Sequence, residues 1–291
     1  MSETATSFMI GDVRVRAVVD FDPYEMDVNF IFPDVSMEEV EKHRSWLEPT
    51  YLTAENKIRL VVRTMVMEVD GRNILVDACI GEHKTRPTRP FMNQRKDTDF
   101  IAQLAKLGLK PEDIDVVFCT HLHVDHVGWN TRLDNGKWVP TFPKARYLFG
   151  RKELDFWMGQ PNRHEVGGGS FVDSVIPIVE AKACDLVDDG HDLGKGLSLH
   201  LLPGHTPGQL GLDVVRGKDR AYFVGDAIHS PLQVVLPDLS TGFDTDKQQA
   251  RETRRKFLEA CASDGRWLVP CHFRGPIAHK IKRAVGSFMI G

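Results

Sequence analysis

Three imidazoles and a carboxylate lie within six residues in the run Thr120-His121-Leu122-His123-Val124-Asp125-His126. His121, His123 and Asp125 share one side of an alternating backbone, whereas His126 is shifted out of that register. One loop can therefore aim nitrogen ligands at two different points. Histidine nitrogen with carboxylate oxygen suits zinc, iron or manganese, and a nitrogen-rich set favours zinc. A polar loop that merely happens to be rich in histidine is the plainer reading, and four ligand-type residues so close together argue against it.

The elements that must position this loop are legible around it. Residues 114–119 form a continuous apolar run, read as a short buried strand with the motif at its C-terminal end. Residues 13–19 and 59–69 are β-rich. The turn Asp70-Gly71-Arg72-Asn73 joins the second of these to residues 74–77 as a hairpin. Phe100, Ile101, Leu104 and Leu107 have helical spacing, and Gly108 is placed to cap that helix. Strands are expected at 145–149, 197–202, 210–215, 221–224 and 266–269, and helices at 151–158 and 244–262. Strands lead and helices come late in each half. That order suggests two packed sheets with helices outside, an α/β sandwich, in one domain over 1–291.

Two segments fall outside this pattern and read as lids or interface insertions, at 21–57 and 151–173. The first is rich in aromatics and carries a capping box from Ser36 to Glu39. The second contains Gly167-Gly168-Gly169 beside Trp157 and Phe171. Ser-Phe-Met-Ile-Gly occurs at 7–11 and again at 287–291, far too short a match for a structural repeat.

The chain has 291 residues, 42% of them hydrophobic, enough to bury a core and to exclude a largely disordered protein. Lys+Arg 37 against Asp+Glu 41 gives a net charge of −4, which argues against a nucleic-acid partner. No apolar run approaches the ~18 residues of a membrane span. The first seven residues have no basic region or apolar core, so they do not read as a signal peptide. Five cysteines without CxxC spacing read as reduced and mostly buried rather than as a disulfide framework, and the cytoplasm is the expected location.

His-x-His-x-Asp-His after a strand resembles the signature of the metallo-β-lactamase-fold hydrolases. Further motifs extend the resemblance from about residue 13 to about 276. They are Leu75-Val76-Asp77 with Cys79-Ile80-Gly81, Pro203-Gly204-His205-Thr206-Pro207-Gly208, Gly225-Asp226 and Cys271-His272. The resemblance implies an αββα sandwich of the metallo-β-lactamase type. It implies that His121, His123 and His205 bind one metal, that Asp125, His126 and His272 bind a second, and that Asp226 bridges them. The cofactors would be two zinc ions, with manganese or iron as alternatives. A zinc-bound water has a pKa of roughly 7, so a hydroxide nucleophile exists at neutral pH. Asp77 would orient a ligand imidazole through its other ring nitrogen. Asp125 and His229 are the catalytic candidates. His229 stands three residues after Asp226, where lactonases of this fold commonly carry a substrate-contacting Tyr.

Asp226 separates the chain from lactamases with a thiolate at that position. The short stretch after His272 is read as leaving no room for the helical extension of glyoxalase II, no segment reads as long enough for the inserted domain of the nucleases, and His123 stands where flavodiiron proteins have Glu. The stretches 127–131 and 273–276 are similar to those of lactonases, organophosphate hydrolases and a hydrolytic dehalogenase. The expected function is a dinuclear hydrolase using a metal-bound hydroxide on a small, partly apolar ester or lactone, N-acyl-homoserine lactonase-like. A phosphotriesterase or hydrolytic dehalogenase is the alternative within the fold. A non-heme iron persulfide dioxygenase or redox protein is the alternative outside hydrolysis. Phe30, Phe32, Trp46, Trp129, Trp157 and Phe273 are the expected substrate-binding residues. A small molecule is the expected partner, with no nucleic acid and no membrane, and a homodimer is compatible with the insertions.

Overall fold

Apolar runs that are continuous rather than alternating build the strands nearest the histidine motif, as expected for strands buried on both faces. The structure, a computed structural model, describes residues 7–162, 165, 167 and 169–291. The readings that fall on residues 1–6, His164 and Gly168 lie outside the described residues. The chain divides into two units. One comprises Met1–Asp12, Asp22–Val61 and Gly190–Gly291, and the other Val13–Phe21 and Val62–Asp189.

The second of these holds the histidine motif. Its strands Arg72–Val76, Val116–Phe118, Arg146–Gly150 and Cys184–Val187 are neighbours in that order and run parallel. Lys57–Val69 pairs antiparallel with Arg72–Val76 across Asp70-Gly71, both at positive φ (50° and 78°); this is the hairpin expected from the sequence, with a shorter turn than the expected 70–73 because Arg72 and Asn73 already pair in the strand. A second hairpin, Thr131–Asp134 with Lys137–Pro140, turns on Asn135-Gly136, again both at positive φ. The segment after the glycines forms a π-helical turn, Phe171–Val175, running into the helix Ile176–Glu180.

That turn carries Asp173 to two cations. Arg86 donates from Nη1 and Nη2 to the Asp173 carboxylate at 2.7 and 2.8 Å. Lys84 Nζ lies 3.8 Å from the same carboxylate, donates to Thr131 Oγ1 at 2.6 Å, and sits 3.6 Å from the Trp138 ring centroid. Both cationic side chains are fully buried. Burial pushes the Lys84 ammonium down, Asp173 opposes, and Arg86 adds to the depression, leaving it at about 7.

The other unit has a five-stranded sheet: Asp192–Gly194, Leu197–Leu201, Leu210–Arg216, Asp219–Phe223 and Trp267–Val269. All its pairs are antiparallel except the last, which is parallel. The helix Lys247–Asp264 packs Phe257, Leu258 and Cys261 against Tyr222, Leu268 and Phe273. It begins later than the 244 expected. Asp246 is the cap, accepting from the Gln249 N–H at 2.9 Å, which leaves Asp244 for another task. Both copies of Ser-Phe-Met-Ile are short strands of this unit, Ser7–Ile10 and Ser287–Ile290. The aromatic-rich segment 21–57 packs its inner face as a core: Val28, Ile31, Phe32, Val40 and Leu47 bury against Leu52, Ile58, Leu232 and Leu239. Its helix Met37–Leu47 starts where the capping signal put it, with Ser36 Oγ accepting from the Glu39 N–H at 3.1 Å. No helix among the described residues is long and apolar enough to cross a membrane.

Candidate metal centre

Parallel strands that end in register bring their following residues together at one end of a sheet, where open α/β sheets place ligand sites. Val76 pairs with Phe118, so Asp77 and Thr120 leave the sheet side by side. The Asp77 carboxylate accepts from the Thr120 N–H at 2.7 Å and from its hydroxyl at 3.0 Å. His126 Nδ1 lies 3.0 Å from the other Asp77 oxygen. Thr120 Oγ1 lies 3.1 Å from His121 Nδ1. The Thr120 hydroxyl donates to Asp77 and so accepts from His121 Nδ1–H, which leaves the lone pair of His121 on Nε2. His121 Nε2 and His123 Nδ1 stand 3.0 Å apart, and the His121 and His126 rings are 4.1 Å apart. Asp125 is half-buried, its carboxylate 3.8 Å from His126 Nε2.

The backbone beneath these side chains is tightly constrained at Gly128. Asp77 and Cys79 take positive φ (64° and 49°), and the Ala78 N–H donates to the His126 carbonyl at 2.7 Å. A Cβ on Gly128 would lie 1.8 Å from the Ile80 carbonyl oxygen, so only glycine lets the two loops meet. On the other side the buried Glu153 carboxylate accepts from the Leu122 N–H at 3.2 Å and from Trp157 Nε1 at 2.7 Å. Trp157 in turn lies against His123, ring centroids 5.4 Å apart.

The same logic operates in the other unit. Phe223 pairs in parallel with Val269, so Asp226 and Cys271-His272 leave the sheet at one end. His205 arrives from the loop between Leu197–Leu201 and Leu210–Arg216. That loop docks on the start of the helix Lys247–Asp264, so closely that a Cβ on Gly204 would lie 2.2 Å from the Ala250 nitrogen. Asp226 is the common centre. Its Oδ2 lies 3.4 Å from His205 Nε2 and 3.1 Å from His229 Nε2, and its Oδ1 lies 3.0 Å from His272 Nε2. His205 Nδ1 faces Asp244 Oδ1 at 3.1 Å, and His272 Nδ1 faces the Val61 carbonyl at 2.9 Å. Their outer ring nitrogens thus hold the proton, and their inner lone pairs face a carboxylate.

A lone pair facing a carboxylate oxygen at 3.0 Å is repulsive without a cation between them, so this donor set fits a divalent metal. Burial opposes ionisation of Asp244, but the hydrogen bond from His205, with the positive charge of Arg254 beyond, outweighs it and holds the carboxyl at about 2. Burial drives His229 toward its neutral form against the pull of Asp226. Its Nδ1 is buried and has no hydrogen-bond partner among the described residues.

The six aromatic candidates are not brought together. Phe32 and Phe273 are fully buried in apolar clusters, and Trp129 stacks on Phe100 at 5.0 Å, so core packing accounts for all three. Trp46 is 39% exposed on its helix, against His43. Phe30, 64% exposed, meets the 38%-exposed Phe243 edge-on at 5.9 Å, and Phe243 lies 6.4 Å from His229. Of the six, Trp157 is the one placed beside a candidate ligand, and Phe30 reaches the site only through Phe243, which lies near His229. Phe243, Glu153, Asp244 and the thiol of Cys271 were not singled out from the sequence. Phe243 lies in an aperiodic turn, and Glu153 reads as the solvent side of a helix.

The family model for the metallo-beta-lactamase superfamily matches residues 59–272, about three quarters of the chain, and the chain belongs to that superfamily. The N-acyl homoserine lactonase AttM of Azorhizobium caulinodans is 32% identical over 117 residues, 39% of this chain and 41% of its own length. This chain therefore spans less than half of that relative. The N-acyl homoserine lactonase AiiB of Agrobacterium fabrum is 23% identical over 290 residues, 93% of this chain and 98% of its own. Among solved structures, the dizinc quorum-quenching lactonase AidC, in complex with a homoserine product, superposes with a TM-score of 0.81 at 20% identity. That match covers 100% of this chain and 98% of AidC. The α/β metallo-β-lactamase fold expected from the sequence is what these likenesses show.

Proposed function

We propose that this chain is a dinuclear, zinc-loaded hydrolase of small, partly apolar lactones or esters. The observation that carries the reading is Asp226, a buried carboxylate with three imidazole nitrogens within 3.0–3.4 Å. In this reading His121, His123 and His205 hold one metal, Asp125, His126 and His272 the other, and Asp226 serves both. Two such ions supply Lewis acidity toward a carbonyl oxygen and an acidified water. Asp244 holds the outer N–H group of His205 and the Asp77 carboxylate stands 3.0 Å from the outer nitrogen of His126, so that each ring presents Nε2.

His229 keeps its proton at Nε2 on Asp226 Oδ2 and fixes that carboxylate, since burial opposes the charged form that a general acid needs. The exposed pair Phe30 and Phe243, next to His229, offers an apolar wall for an acyl chain. The lactonase relatives support the substrate class.

Elemental analysis of protein purified without chelator, with a panel of lactones, aryl esters and phosphotriesters, tests this reading. About two zinc per chain, with lactone or ester turnover and loss of both metals in Asp226→Ala, is the expected result. Less than one metal per chain after remetallation refutes it. A clear preference for phosphotriesters, or iron with aerobic persulfide consumption, would replace the substrate assignment.

A further inference from the structure

Cys271 stands beside the candidate ligand His272, and its Sγ lies 3.0 Å from Asp226 Oδ1, the same oxygen that His272 Nε2 approaches at 3.0 Å. The Asp226, Cys271 and His272 donor atoms all lie within 4.8 Å of one another, and all three residues are buried. Successive side chains of a strand point to opposite faces, but the chain bends at 271–272 once the strand Trp267–Val269 has ended. Thiol and imidazole therefore converge on one carboxylate oxygen. Nearby, the buried His229 leaves its Nδ1 without a partner among the described residues. The other cysteines differ. Cys79, Cys119 and Cys261 are buried thiols pushed up by desolvation, and none of them lies in a group of candidate ligand atoms.

We propose that Cys271 is a metal ligand, contributing a thiolate to the ion that Asp226 and His272 hold. This rests on the reading of Asp226 and His272 as ligands. On binding, the S–H proton leaves to solvent and a metal–sulfur bond forms, with no change of oxidation state. A thiolate makes the position softer than a nitrogen–oxygen set and selects zinc or cobalt over manganese. It is a donor outside the seven residues carried over from the sequence motifs.

Zinc K-edge absorption of the zinc-loaded wild type reads the bond without any variant. The expected spectrum contains a sulfur scatterer at about 2.3 Å, one per two zinc ions. Cobalt-loaded wild type should show a near-ultraviolet sulfur-to-cobalt charge-transfer band. Cys271→Ser should abolish it and weaken binding of one ion at least about 10-fold, the scale on which even outer partners of ligands act. Cys184→Ser should keep both band and affinity. Two metals per chain with no sulfur scatterer and no band overturns the proposal and leaves the dinuclear reading standing. A band that survives Cys271→Ser also overturns it. One metal per chain with a band dependent on Cys271 upholds the thiolate and ends the dinuclear reading.

Discussion

Lys84→Met tests the buried cluster around Asp173 through the pH dependence of stability. One carboxylate faces two buried cations there, and Arg86 takes both of its oxygens. Lys84 is held at about 7 against an ordinary value of 10.5. That gap corresponds to an upper bound of roughly 5 kcal/mol for keeping the ammonium charged and buried. Against it stand the hydrogen bond to Thr131 and the contact over Trp138, together worth about 1–3 kcal/mol. Methionine removes both the charge and the contacts while filling similar space. Between about 7 and 10.5 the folded lysine has lost its proton and the unfolded one has kept it. The unfolded state binds more protons in that window, so stability of the parent rises with pH through it. Below it both states are charged and the full cost applies. In urea titrations Lys84→Met should therefore exceed the parent by about 1–3 kcal/mol near pH ~6 and fall below it by a similar amount near pH ~10. Stability curves that run parallel across the whole range would refute a desolvated lysine.

Three more outcomes follow from the site. Glu153→Ala leaves the Leu122 and Trp157 N–H donors buried without an acceptor, which should cost about 2–5 kcal/mol in a denaturant melt, with Glu153→Gln losing less; a change under about 0.5 kcal/mol would show water replacing the carboxylate. His229→Gln, which can still donate to Asp226, should keep both metals. His229→Ala should lower metal affinity about 10–100-fold by elemental analysis after dialysis, and equal metal content in the two variants would count against the positioning role. Phe30→Ala and Phe243→Ala should each raise KM for a long-chain acyl lactone about 10-fold and leave a short-chain one unchanged, and equal effects on both chain lengths would move the acyl wall elsewhere.

The central strands and the histidine loop were legible because the signals there are local. Continuous apolar residues mark Val116–Phe118, Asp-Gly marks the first hairpin, and Ser36 marks a helix start. Asn135-Gly136 was an equally local signal, but polar strands with no clean alternation flank it. What stayed hidden depends on pairing between distant segments. That Cys271 and His272 converge on one Asp226 oxygen follows from the register of Phe223 with Val269, which neither segment encodes alone. The same holds for Asp244, whose work is visible only once Asp246 has taken the cap. The aromatic candidates were misleading for a related reason: Phe32 and Phe273 carry no mark that separates a core side chain from a pocket wall.

Neither unit is one continuous stretch of chain, and during synthesis that becomes an order in time. Residues through Asp189 complete one unit, while the other waits for the segment Gly190–Gly291. At roughly 5–20 residues per second, His126 is made roughly 7–30 s before His272. An ion met in that interval finds the imidazoles of residues 121–126 and the carboxylates of Asp77 and Asp125, but no sulfur from Cys271. On the proposed ligand set the donors emerge in two groups, those of residues 121–126 first and His205, Asp226, Cys271 and His272 later. On that reading the nascent chain meets whichever metal is abundant before the proposed thiolate ligand exists.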